Sequence, residues 1–237
     1  MLLSVLGWVP VVVVAVLGIL FALVLLADSR RGRREQAALD ALPEWAGSLG
    51  LSYSESAPPE DVVEAFLAFD PTRNDRHFEN DGFSGMMAGT VLDIPILAFV
   101  YWFHLDGQLG RHFVSRVGLS EAPCPTVVAR SPIWTPEEIG MPLVSMISDA
   151  DFSNAVSVFS RDADFARTLY APVVRKFVRA NMGKPKDPSH QPFCFVVAGD
   201  AVYVQGSPPE SREQLLQQTV MPVAFMHLVT LELQRKR

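Results

Sequence analysis

The chain has 237 residues, of which 49% are hydrophobic and 19% charged, and its formal net charge is −6. An acidic balance of this kind excludes a general electrostatic attraction to nucleic acid. The two cysteines, Cys124 and Cys194, are far apart and lack metal-ligand spacing to any histidine, so they exclude a thiolate metal site and read as buried free thiols.

No charged side chain occurs from Leu2 to Leu26, and Arg30, Arg31, Arg33 and Arg34 follow closely. A hydrocarbon core about 30 Å thick needs roughly 20 apolar residues of helix, and a helix satisfies its own backbone amides where no water is present. The run therefore predicts a transmembrane anchor over 1–29. Arginine is held on the cytoplasmic side, so Met1 faces outward and the following domain is cytoplasmic. This is the pattern of a single-pass protein of the cell membrane. A cleaved signal peptide is the alternative, yet no basic residue precedes the run, and Leu25 stands where a cleavage site wants a small side chain. Gly18 and Ala22 lie one turn apart and offer a small face for helix packing in the bilayer.

Residues 30–60 read as a juxtamembrane amphipathic helix and a linker. Leu39, Leu42, Trp45 and Leu49 recur at helical spacing, and Gly50 is placed to end the helix. The stretch Ser52 to Pro59 is rich in Ser and Pro, which suits a linker. The domain proper, 61–237, opens on a short helix reaching Phe69, with Val62, Val63, Phe66 and Leu67 inward. Asp70-Pro71 stops it, and a polar loop runs to Gly82.

The period then changes. Phe83 to Val91, Ile96 to His104, Arg111 to Leu119 and Thr126 to Ala129 are short runs rich in Val, Phe, Tyr and Trp, separated by turn residues. They predict an antiparallel meander. In Ile96 to His104 both alternating faces are apolar, which marks a central strand covered on both sides. The segment Ser131 to Met146 is irregular, and Ala155 to Phe159 reads as a further strand. Asp162 to Ala180 turns helical with Phe165, Leu169, Val173 and Phe177 on one face, and Pro172 predicts a kink or break. Gly199-Asp200 between two apolar runs is a hairpin signal. In the last helix Ser207 can cap, Pro208 suits the first position and Glu210 the third, with a bend at Pro222. This order of elements gives an α+β fold, an antiparallel sheet with helices packed mainly on one face.

Several of these features occur together elsewhere. The arginine-flanked span, Leu39, Leu42 and Trp45-Ala46 with Gly50-Leu51 and Tyr53, and Phe159, Asp162 and Asp164-Phe165-Ala166 ending in Ala171-Pro172 form one group. With Gly199-Asp200 before Val202-Tyr203, they resemble a family of small, single-pass, membrane-anchored actinobacterial proteins of unknown function. The resemblance implies an anchored cytoplasmic α+β domain and carries no catalytic residue to transfer.

Chemistry has few places to reside in this sequence. No nucleophile elbow, phosphate loop or dinucleotide fingerprint occurs, and no cofactor or metal is implied. Asp75, His77 and Asp81 share one charged loop that could hold an acid–base site, though their spacing matches no known cation loop. His104 and His112 flank a hairpin turn and read as a solvated pair at its rim. Arg175, Lys176 and Arg179 fall on one helix side with Lys184 and Lys186 just beyond, a patch suited to an anionic leaflet or an acidic partner. Three readings follow. The first is a non-enzymatic module that binds another membrane or cytoplasmic protein beside the lipid bilayer and stabilises a complex. The second is a lipid- or ligand-sensing domain at the inner leaflet with Phe99, Tyr101, Trp102 and Phe103 as a pocket wall. The third is an enzyme built around the Asp75, His77 and Asp81 loop.

Overall fold

Local turn chemistry builds most of the sheet. Strands β2 (Gly82–Val91), β3 (Ile94–Leu105) and β4 (Gln108–Gly118) form the expected meander. The β2–β3 turn is made by Leu92 and Asp93, both at positive φ, the backbone that a two-residue hairpin loop requires. At the other hairpin, β7 (Cys194–Gly199) and β8 (Ala201–Gly206) meet around Gly199 at φ +57. The computed structural model describes residues 32–68, 82–105, 108–120, 123–131, 140–145, 149–182 and 193–235. The apolar run with Gly18 and Ala22, Arg30, Arg31, the Asp75, His77 and Asp81 loop, and Lys184 and Lys186 lie outside the described residues. Among the described residues, no helix is long and apolar enough to cross a membrane.

With β1 (Ser52–Ser54), β5 (Cys124–Arg130) and β6 (Ser157–Ser160), the strands form one antiparallel sheet in the order β1-β2-β3-β4-β8-β7-β5-β6. Two sequence expectations change here. The segment read as linker begins with an edge strand, because Tyr53 pairs with Met87 of β2; three residues carry too little periodicity to announce this. The meander ends at β4, since the β7–β8 hairpin inserts beside it and β5 pairs with β7 and β6 instead.

Six helices complete the described fold: α1 over 32–48, α2 (Glu60–Leu67), α3 (Ala150–Ser153), α4 (Ala163–Leu169), α5 (Pro172–Met182) and α6 (Arg212–Gln234). At the end of α1, Leu51 N–H donates to Ala46 carbonyl at 2.9 Å and Gly50 N–H to Gly47 carbonyl at 3.1 Å. With Gly50 at φ +74 this is a Schellman cap, as the glycine predicted. The proline between α4 and α5 produces a full break. Pro172 occupies the first position of α5, where its missing N–H costs nothing. The break resets the phase of the second helix, so Val174, Val178 and Met182 are buried while Val173, expected inward, is 43% exposed. The α6 cap also moves by four residues. Ser211 Oγ accepts from Gln214 N–H at 3.3 Å, and Gln214 Oε1 accepts from Glu210 N–H at 2.7 Å. This reciprocal pair does the work that the sequence assigned to Ser207 and Glu210. The α6 helix then continues through Pro222.

Candidate functional site

The pairing registers sort the sheet into two faces, because side chains alternate along each strand. On one face lie Ala98 and Val100 of β3, Phe113 and Ser115 of β4, Val202 and Val204 of β8, and Phe195 and Val197 of β7. Helices α5 and α6 cover it. Phe195 meets Phe225 of α6 at 5.2 Å between ring centroids and Phe177 of α5 at 6.0 Å. The fold expectation of helices mainly on one side therefore holds, and this helix face is largely apolar, with Ser115 buried and its hydroxyl unpartnered.

The opposite face mixes aromatic and polar side chains. At its β2–β3 end, Phe66 of α2 touches Phe83, Phe99 and Tyr101, with ring centroids 6.3, 5.7 and 5.2 Å away. Phe99, Tyr101 and Phe103 share this side, whereas Trp102 points to the other, so the four aromatics do not form one wall. All three on this face are core residues.

Further along the same face the packing becomes polar. Val114 pairs with Gln205 of β8, and Gln205 pairs with Cys194 of β7. His112 stands two residues from Val114 and so shares its side. Val128 of β5 pairs with Val196, which places Arg130 beyond Cys194 on that side as well. His112, Gln205 and Arg130 are buried to 1, 3 and 4% exposure. The His112 ring lies 4.9 Å from the Phe103 ring and stacks on it. Burial pushes the His112 pKa down to about 3, and the positive charge of Arg130 adds to the effect. The imidazole is therefore neutral at ordinary pH. Tyr170, between α4 and α5, is buried too; its hydroxyl pKa is raised by burial and by the nearby Cys194 thiol.

Both His112 nitrogens, Gln205 Nε2 and the Tyr170 hydroxyl lack hydrogen-bond partners. Each buried donor or acceptor left unmet costs about 1–3 kcal/mol. The three of these atoms on His112 and Gln205, neighbours on one sheet face, amount to a stability cost that Phe, Leu or Met at these places would avoid. At the opposite end of the face the polar groups are satisfied. Arg116 donates to Asp200 Oδ1 at 3.2 Å and to the Tyr203 hydroxyl at 3.4 Å.

The structure corrects the histidine expectation. His104 pairs with Leu109, not with His112, and His112 pairs with Tyr101 in the interior. It is a core residue beside a strand covered on both sides, and the turn signal next to it concealed this. Of the basic patch, Arg175 pairs with Asp149 at 3.4 Å and Arg179 with Asp151 at 3.2 Å, while Lys176 is exposed. Arg33 and Arg34 lie exposed near the start of α1. Cys124 and Cys194 are not joined in a disulfide; Cys194 is buried as expected, whereas Cys124 is only half-buried. Among the described residues, no cluster of His, Cys, Asp or Glu could hold a metal ion.

Neither a protein-family model nor a curated protein sequence matches this chain. A solved structure does: the crystal structure of the mycobacterial trehalose monomycolate transport factor A, TtfA, aligns with a TM-score of 0.50 at 12% identity. The alignment covers 83% of this chain and 94% of that one. At this identity the likeness establishes a shared α+β fold.

Proposed function

We propose that this chain is a non-enzymatic accessory protein of the cell envelope, anchored by a helix over 1–29, whose α+β domain engages a protein partner at the membrane. The observation that carries the reading is the fold likeness to a transport factor over nearly the whole of that protein. The uncharged run from Leu2 to Leu26 and the arginines at 30, 31, 33 and 34 supply the anchor and a cytoplasmic placement of the domain. Gly18 and Ala22 provide a close-packing face toward a partner's membrane helix. Leaflet contact falls to Lys176, Lys184 and Lys186, since Arg175 and Arg179 already carry carboxylate partners. A glycolipid carrier role, by analogy with the name of the structural neighbour, is the lipid-side version of the same proposal.

The test is affinity capture of the full chain, tagged at its C-terminus, from membranes solubilised in mild detergent. One membrane or cytoplasmic protein should be recovered reproducibly, and the tag should be protected from external protease in intact cells. Recovery of no reproducible partner, or a tag cut from outside, contradicts the reading.

A further inference from the structure

Helix α6 is apolar on more sides than its packing uses. Its inward side buries Leu215, Met221, Val223, Phe225 and Val229. On the outward side Leu216, Val220, Ala224 and Leu228 recur every four residues, and Leu231 continues the row three residues on. Side chains at this spacing share one side of a helix. Leu216 and Leu231 are 41 and 52% exposed, and Val220, Ala224 and Leu228 are half-buried. A helix that is hydrophobic all round belongs in an interior, so the row calls for a cover. Its ends indicate which. Glu213 stands exposed in the first turn and Arg235 stands exposed at the C-cap, each eleven residues from Ala224. Val220 and Leu228 lie four residues to either side of Ala224. The row is thus symmetric about Ala224 in its apolar members, with acid at one end answering base at the other.

We propose that a second copy of this chain covers the row, its α6 packed antiparallel against the first about a two-fold axis at Ala224. Such an interface uses the same patch twice. Val220 of one copy then faces Leu228 of the other, the small Ala224 side chains let the helices approach at the axis, and Glu213 faces Arg235 at both ends. Arg235 can reach across. Its bond to Glu232, at 2.7 Å, uses one of five guanidinium donors and leaves the side chain 70% exposed. A parallel pair would set Glu213 against Glu213 and Arg235 against Arg235 and would align the helix dipoles, so charge selects the antiparallel pairing. A lipid leaflet is the poorer cover. Helices that lie in a membrane interface carry Lys and Arg along the polar face, where α6 has Glu213, Gln217, His227 and Gln234. A helix pair about 34 Å long makes a small interface, so the association is reversible and depends on concentration. The pairing does not rest on the accessory-protein reading and holds whether or not another protein is captured.

The test is disulfide trapping of the full chain in lipid vesicles, in a Cys124→Ser background. Ala224→Cys lies on the axis and should give a crosslinked dimer under mild oxidation. Gln217→Cys, although more exposed, stands about 20 Å from its counterpart across the axis and should give none. Should Ala224→Cys fail to fold, an equal mixture of Glu213→Cys and Arg235→Cys should crosslink where neither does alone. With Ala224→Cys as the reporter, Leu231→Asp should slow trapping about tenfold or more with the circular dichroism spectrum unchanged, because it brings a charge into the contact. Glu213→Arg and Arg235→Glu should each slow trapping, and the two together should restore it. The proposal is overturned if Ala224→Cys and Gln217→Cys trap equally, or if neither Ala224→Cys nor the mixed pair traps. It is overturned equally if Leu231→Asp traps as fast as its parent, or if the double reversal traps no faster than the single ones.

Discussion

The two faces of the sheet are built from the same eight strands and spend their side chains differently. On the helix face nearly every inward position is Val, Phe or Ala, and the Phe177, Phe195 and Phe225 rings close the contact with α5 and α6. On the opposite face an aromatic cluster under α2 gives way to His112, Gln205 and Arg130, which are just as buried but carry unmet polar atoms or a charge. Equal burial therefore hides unequal purpose. Apolar burial contributes about 25 cal/mol per Å², whereas a buried polar atom without a partner subtracts from that sum. The helix face holds the domain together, and the polar corner is tolerated by it.

Substitutions should separate the faces by size of effect. The largest loss is expected from Phe225→Ala, which removes a fully buried ring from the helix-face contact and should cost about 3–5 kcal/mol by urea unfolding. A cost below 1 kcal/mol would mean that α6 is loosely held. Next comes acid. The folded pKa of His112, about 3, lies below the ordinary histidine value of 6.5, so between these values the unfolded chain binds more protons. The His112 contribution is fully present above pH about 6.5 and is lost progressively as pH falls toward 3. His112→Phe should flatten that window, and an unchanged pH profile would show that the imidazole is not neutral in the fold. Gly82→Ala, whose Cβ would strike the Trp102 ring, should cost about 1–3 kcal/mol as overpacking. Ser211→Ala, which deletes the α6 cap, should cost about 1 kcal/mol, with a fall in helix signal confined to the first turn.

The parts of this fold legible in the sequence are those fixed by neighbours in the chain. The β2–β3–β4 meander, the Gly199-Asp200 hairpin, the Gly50 cap and the stop at Pro172 all follow from local turn and cap chemistry. The parts that were not legible depend on partners far away. Strand β1 exists only because β2 offers an edge, β5 takes its place beside β7 once the hairpin has inserted, and Val173 turns outward because the proline break restarts the helix. The polar corner was missed for the same reason. His112 sits four residues from the start of β4 and looks like a turn histidine until the register sets it opposite Tyr101. One signal was available: β3 is apolar on both faces, and the strand paired beside such a strand is itself covered on both sides.

The buried polar side chains of the corner ride in the fold and do not hold it, and the urea unfolding midpoint of His112→Phe at pH 7 tests this most directly. The ring can keep its stack on Phe103 while both unmet nitrogens disappear, so the midpoint should stay the same or rise, with a gain of up to about 2 kcal/mol. A loss comparable to that of Phe225→Ala would show that His112 is a structural residue, and the distinction between the two faces would fail.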